Sequence, residues 1–485
     1  MAAHRSRRGA VRVLVVTVLL AACSSNPTVQ DGGSGCTYAS CEAECIARGS
    51  HYASCGGGIC HCTGDVDAVH VDDGRDTSAS EDRGDADDSD TTVPPCDGYL
   101  VPNEERAGAS PGVVCRRTSA PGLEESLLDF HGDGPFVVYR ATPDTVPLRL
   151  WVVDRRARCV RLLDDLRDIP FYPHGGVVWP SLEGDRVAYV ASSSERPGEI
   201  GLEVVQVRLA SISTGEKRVL VETRETPWDW GHWPTMDSVV LRYPWVVWRD
   251  IREEDLFRWY TYGFNVETGE RRNLSIAPPG VPADASGMWG SVTVVDLLDG
   301  VVVFGAGWGG AGNPIFEEII QVNLATGEAG PITSDPASQW WPVITPRWIA
   351  YLDQRSAPSC HSQSPCRTDI YGFDRETGDE RALVVAGNSM QGPWMDGEGD
   401  WLLYEDQRDG TDVTIDLDRE QDMYAFHLPT MTEIRVTDWP GFEMTPKVYD
   451  RHDGTHGALF VEEIDYGGAI YRLWDCDLPE PTDGG

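Results

Sequence analysis

Trp228, Trp230, His232, Trp233, Trp289, Trp340, Trp341, Trp394 and Trp439 all precede short strand-like runs, with Asp229, Asp237 and Asp396 close by. Aromatic faces beside carboxylates suit the stacking and hydrogen bonding that hold sugars or an extended peptide. Some of these tryptophans belong to a repeated Trp-Pro pair, seen at Trp179-Pro180, Trp233-Pro234 and Trp341-Pro342. A residue that recurs in every copy of a unit serves packing. Trp228 and Trp230 break the repeat and are the stronger candidates; with His232, Trp340 and Trp394 they form the candidate ligand-binding set.

Other chemistry is sparse. There is no H-E-x-x-H, P-loop or dinucleotide fingerprint. The G-x-S-x-G match at Gly108–Gly112 places Pro111 after Ser110 in a connector, not at a strand-to-helix turn, so no catalytic residue is assigned. Asp409, Asp412, Asp416, Asp418, Glu420 and Asp422 could hold Ca²⁺, but without an established ligand spacing they read as a solvated loop, and no metal or cofactor is assigned. An enzyme would need two or three of His131, His174 and His232 gathered with an acid at one place.

These residues must be positioned by a repeat. Tyr139, Tyr189, Trp248, Phe304, Tyr351, Tyr404 and Phe460 mark corresponding strands at intervals of 47 to 59 residues. Thr-Gly-acid turns at Thr214, Thr268, Thr326 and Thr377 keep the same phase, as do the exits Asp353-x-Arg355 and Asp406-x-Arg408. Four strands per period of about 50, with almost no helical periodicity, predict an all-β propeller of seven blades, six being the alternative. The last copy lacks a fourth strand. The segment near 112–118 can supply it and close the ring, removing an exposed sheet edge.

The wording of the repeat (Trp-Pro openings, aromatic-x-Asp-x-Arg exits, Asp369-Ile370-Tyr371, Thr-Gly-acid turns) resembles the TolB-like and prolyl-oligopeptidase-like propellers of secreted bacterial proteins. The resemblance covers about residues 125–475 and implies a fold, not a reaction. The N-terminal α/β domain of TolB is expected to be absent, and so is the hydrolase domain that follows the propeller in the peptidases, since eleven residues follow Trp474.

The N-terminal quarter reads differently. Arg5, Arg7 and Arg8 precede an apolar run of ten, Val13–Ala22, which is too short to span a bilayer and predicts a signal peptide over 1–22. Leu20-Ala21-Ala22-Cys23 resembles the bacterial lipobox, which implies cleavage before Cys23, its acylation, and a lipid tether over 23–35; Ser24 implies sorting to the outer membrane. The other twelve cysteines predict disulfides in an oxidising compartment.

Six of them, Cys36, Cys41, Cys45, Cys55, Cys60 and Cys62, lie where a helix over Glu42–Ala47 and a strand after Gly56-Gly57-Gly58 could be stapled together. The run resembles the cysteine-stabilised αβ module of arthropod defensins, which implies the pairs Cys36–Cys55, Cys41–Cys60 and Cys45–Cys62. Glu42 and Glu44 outweigh Arg48, unlike the cationic members, so a small recognition knob or a structural cap over 36–62 is expected. Cys360 and Cys366 share one inter-strand loop and should pair. Cys96, Cys115, Cys159 and Cys476 belong near the join of the first and last blades, with three connectivities open and at least one bridge expected across it.

Residues 63–95 carry eleven acids against Arg75 and Arg83 and no aromatic residue, which predicts an extended acidic linker before a propeller over 96–485. A net charge of −38 argues against electrostatic binding of nucleic acid. The expectation is a monomeric cell-envelope protein, anchored in the outer membrane by lipid, whose propeller binds a protein or a glycan. The alternative is a carbohydrate-active enzyme, lyase- or hydrolase-like, with its site in the channel.

Overall fold

The computed structural model describes the strands at 52–56 and 59–63 and residues 96–480. Within the latter it leaves out 125–128, 142–147, 171–174, 196–202, 226–235, 251–259, 276–294, 309–315, 334, 336, 357–367, 386–393, 407, 409–420 and 465–469. The chain divides into two compact units, Met1–Asp88 and Ser89–Gly485. In the first, Tyr52–Gly56 and Ile59–Thr63 form an antiparallel hairpin with Cys55 opposite Cys60. Cys23, Cys36, Cys41, Cys45 and the expected helix lie outside the described residues, as do Cys360 and Cys366.

The second unit is a seven-bladed propeller, each blade an antiparallel meander. The innermost strands are Phe130–Asp133, Gly175–Glu183, Met236–Arg242, Val295–Leu298, Gln339–Ile344, Met395–Glu398 and Phe442–Asp450. The described residues contain strands and turns and no helix. All seven aromatic marks fall on second strands, and each is at most 2% exposed. There the alternation of an ordinary strand disappears: in Trp348–Asp353 and Trp401–Asp406 all six residues are buried, because blades stack on both faces.

The core is correspondingly divided. Seven apolar clusters each join one pair of adjacent blades, for example Tyr139 and Trp151 of blade 1 with Leu459 and Leu473 of blade 7. Stability therefore resides in nearest-neighbour interfaces, and the ring must be closed for every interface to exist.

Closure comes from the N-terminal side. Val114–Arg117 pairs with Tyr471–Leu478, placing Cys115 opposite Cys476, and Glu105–Ala107 adds a fifth strand. The Cys115–Cys476 disulfide crosses the seam, while Cys96–Cys159 fastens the incoming chain to blade 1, where Tyr99–Leu100 lies along Cys159–Asp164. Of the three open connectivities, this is the one realised.

The repeated sequence marks become scaffold. Gly215, Gly269, Gly327 and Gly378 of the Thr-Gly turns have φ between 68° and 77°, the left-handed region that excludes most side chains. Arg355 bonds Asp353 at 2.7 Å and lies 3.9 Å from the centre of the Tyr371 ring; Arg408 repeats this with Asp406 and Tyr424. Asp422, read from sequence as part of a solvated acidic loop, instead opens the strand Asp422–His427, buried and ion-paired with Arg435 at 2.5 Å.

Candidate functional site: the channel and its tryptophan mouth

All inner strands run the same way through the ring, so the two mouths differ. At the mouth where the inner strands end, connections are short turns such as Gly184 and Gly300. At the mouth where they begin, the connections are long: 251–259, 276–294, 357–367 and 409–420 all join strand ends there. The difference in connection length between blades is concentrated at this leading mouth.

An inner strand pairs only with the second strand of its own blade, so its remaining N–H groups need acceptors. Side chains of the preceding blade supply them. His131 Nδ1 accepts from Leu182 N–H at 3.4 Å, Ser181 Oγ from Leu241 at 2.9 Å, Asp296 Oδ2 from Ile344 at 2.8 Å and Asp396 Oδ2 from Val448 at 2.9 Å. One step further along, Asp133 accepts from Gly184. The channel acids thus stitch blade to blade. Lys447 Nζ lies 3.0 Å from Asp396, and Arg242 of blade 3 reaches Glu398 of blade 6 across the axis.

Four inner strands carry a bulge within their length. Trp179, Ser238, Trp341 and Thr445 adopt φ between 50° and 59°, and strand register shifts at each. For non-glycine residues this costs about 1 kcal/mol each, a strain that turns the bulged residue toward the axis. The tryptophans meet there. Trp179 of blade 2 lies nearly parallel to Trp394 of blade 6, with ring centres 6.4 Å apart and planes at 16°. Trp341 of blade 5 meets Trp394 edge-on at 5.0 Å and donates from Nε1 to Met395 O at 3.1 Å.

Behind them is a cavity of about 80 Å³, reaching as far as Arg242 and Glu398. Sites for whole small molecules occupy roughly 300–1,000 Å³, so this one fits a single functional group.

Electrostatics follow burial. Asp296 is pushed up to about 7 by burial, against the Arg242 guanidinium and the Ile344 N–H, with Asp396 adding to the rise. Burial, helped by Lys447 and Arg242, holds His131 well below the usual histidine range, so its imidazole is neutral at pH 7. Between about pH 4 and 7 folded Asp296 keeps a proton that the unfolded chain releases. The folded state then binds more protons, so stability falls as pH rises through this window, by on the order of 4 kcal/mol. Asp296→Asn keeps an acceptor for only one of the two backbone N–H groups, Leu297 or Ile344, and removes the titration. Urea unfolding midpoints of this variant should vary less between pH 5 and 8 than those of the parent; an identical pH profile would contradict the assignment.

The candidate residues separate. Trp394 lines the cavity, whereas Trp340 is half-buried against the apolar cluster between blades 5 and 6, and its neighbour Trp341 lines the cavity instead. Trp439 stands in the interface of blades 6 and 7 against Phe460 and Trp474. His131 reaches the channel. Trp228, Trp230, His232, Trp233, Trp289 and His174 lie outside the described residues. Among the described residues no group of three His, Cys, Asp or Glu could hold a metal ion.

Sequence reasoning missed Asp129, Ser238, Arg242, Asp296 and Lys447. The signal was the repeat itself: Ser181, Val343 and Asp396 each lie two residues after the tryptophan slot, and His131, Val240, Asp296 and Lys447 occupy the same column in the copies whose slot holds another residue; in blade 3 that residue is Ser238, and Trp233-Pro234 lies five residues before it.

No family model matches the chain, and no curated protein matches it in sequence. Solved structures resemble it in fold. The β-propeller domain of the Trilobed protease from Pyrococcus furiosus aligns at TM-score 0.51 and 10% identity, over 74% of this chain and 95% of that one. The likeness is one of fold. That propeller has an open velcro topology, whereas here Val114–Arg117 closes the ring. An oligogalacturonate lyase in complex with manganese aligns at 0.46 and 16% identity, over 78% of this chain and 96% of that one. TolB from Acinetobacter baumannii aligns at 0.34 and 13%, over 71% and 80%.

Proposed function

We propose that this chain is a lipid-anchored recognition protein of the cell envelope, held at the outer membrane through Cys23, whose propeller binds an envelope protein or glycan at its leading mouth. The single observation that carries this reading is the tryptophan trio, drawn from blades 2, 5 and 6 and brought together where the long connections emerge. Aromatic side chains clustered in a concave site are the usual anchors of an interface. The channel polar groups favour binding over catalysis, since His131, Ser181, Asp296 and Asp396 are each engaged in blade-to-blade hydrogen bonds.

The test is a binding screen of the full chain against envelope glycans, peptidoglycan fragments and peptides, repeated with Trp394→Ala and Trp230→Ala. Binding should weaken at least tenfold in Trp394→Ala, and also in Trp230→Ala if the connection at 226–235 contributes. Binding that survives both substitutions would remove the mouth as the site. For the anchor, Cys23→Ser should release the protein from the membrane fraction, and unchanged membrane association would refute lipidation at that residue.

A further inference from the structure

Asp129, Asp296 and Asp396 line the cavity behind the tryptophan trio. Asp129 faces Arg140 at 2.9 Å and Asp396 faces Lys447 at 3.0 Å. Asp296 instead accepts from the Leu297 and Ile344 backbone at 2.7 and 2.8 Å, and among the described residues no lysine or arginine nitrogen lies within ion-pair distance of it. A second observation comes from blade 3. Ser238 is 4% exposed, sits on a strained bulge, lines the same cavity, and its Oγ has no hydrogen-bond partner. A buried hydroxyl left open is costly unless a ligand completes it.

The cavity lining carries four acids, Asp129, Asp296, Asp396 and Glu398, against Arg242 and Lys447, which are ion-paired with Glu398 and Asp396, so the balance favours a positive charge. Indole faces attract cations, more strongly than phenol or benzene rings do, and the attraction grows when the cation is shielded from water. An overall charge of −38 concentrates cations around the molecule and speeds their arrival. We propose that the collar of Trp179, Trp341 and Trp394 binds a cationic group, a primary ammonium or a guanidinium, whose charge is met by Asp296 and whose N–H is accepted by Ser238 Oγ. This rests on the recognition reading above and names the ligand's chemistry. A cavity of about 80 Å³ holds the head of such a group while the rest of the ligand stays at the mouth.

Calorimetric titration of the full chain with trilysine and spermidine at about pH 8.5, where the Asp296 carboxyl is ionised and the amines keep their protons, tests this, with triglutamate and chitotetraose as anionic and neutral controls. Trilysine should bind and triglutamate should not. Trp394→Ala should weaken trilysine binding about tenfold, Trp394→Phe by less, and Asp296→Asn several-fold. Spermidine binding as tightly as trilysine would support recognition of the amine alone; trilysine binding without spermidine would support a basic peptide. Absence of both amines from the binding profile overturns the proposal, as does amine binding that Trp394→Ala and Asp296→Asn leave unchanged. If chitotetraose binds and depends on Trp394 while the amines do not bind, the recognition reading stands and the cationic ligand falls. If nothing that binds depends on Trp394, both fall.

Discussion

Replacing Cys115 and Cys476 by alanine should lower the unfolding free energy by up to about 5 kcal/mol. The bond joins residues 361 apart in sequence and closes the ring, so it removes more freedom from the unfolded chain than any short-range bridge. Cys96–Cys159 spans only 63 residues and lies on the outer side of blade 1. Loop entropy alone makes the seam bond worth about 1.5 kcal/mol more. The native state adds to the contrast: both seam cysteines are fully buried in the cluster shared by blades 6 and 7, Arg116–Asp477 joins the same two strands, and Arg106–Glu462 ties the added fifth strand to blade 7. Urea unfolding of the two double-alanine variants checks the order. An equal or larger loss from Cys96→Ala/Cys159→Ala would mean that the seam is not where the ring is held.

A loss of similar size is expected from Asp164→Ala. Arg208 is 1% exposed and lies 3.0 Å from the Asp164 carboxylate, which also receives Lys217 at 2.8 Å and the Leu166 N–H. Burial acts to raise the Asp164 pKa, but Lys217, Tyr189, Leu166 and Arg208 together hold it below the usual aspartate range. Removing the carboxylate leaves a buried guanidinium with Asp168, which is largely exposed, as its remaining acidic partner. Uncompensated burial of that kind costs about 3–5 kcal/mol. The double replacement Asp164→Leu/Arg208→Met should recover much of the loss, because the pair's own attraction is largely offset by its desolvation. Equilibrium unfolding at pH 7 separates the outcomes: a single-variant loss below about 1 kcal/mol would show that the pair is not buried in solution. The stabilisation from the lowered Asp164 pKa is fully present above the unfolded value and is lost as pH falls through the folded one. It therefore acts in a more acidic window than Asp296.

The fold was legible because a propeller writes its period into the chain. Tyr351 and Tyr404 recur since each second strand is buried on both faces, and Thr377-Gly378 recurs since one turn needs a positive φ. The closing strand was legible from a deficit, the missing fourth strand after Trp474. The cavity was only half visible. Trp394 could be found by its place before a strand, but Trp340 and Trp341 are adjacent, and only the bulge decides that the second turns to the axis. Asp296 and Lys447 carry no motif: their meaning comes from a column of the repeat that meets at the axis, and from neighbours 48 and 51 residues away in sequence.

The most direct measurement is the affinity of the full chain for whichever ligand the screen returns, taken beside that of Trp394→Ala, with the urea midpoint of each recorded. Trp394 is half-buried at the rim, so its removal should weaken binding at least tenfold while leaving the midpoint close to that of the parent. An unchanged affinity, or a loss that only tracks unfolding, would contradict the assignment of the tryptophan mouth as the recognition site.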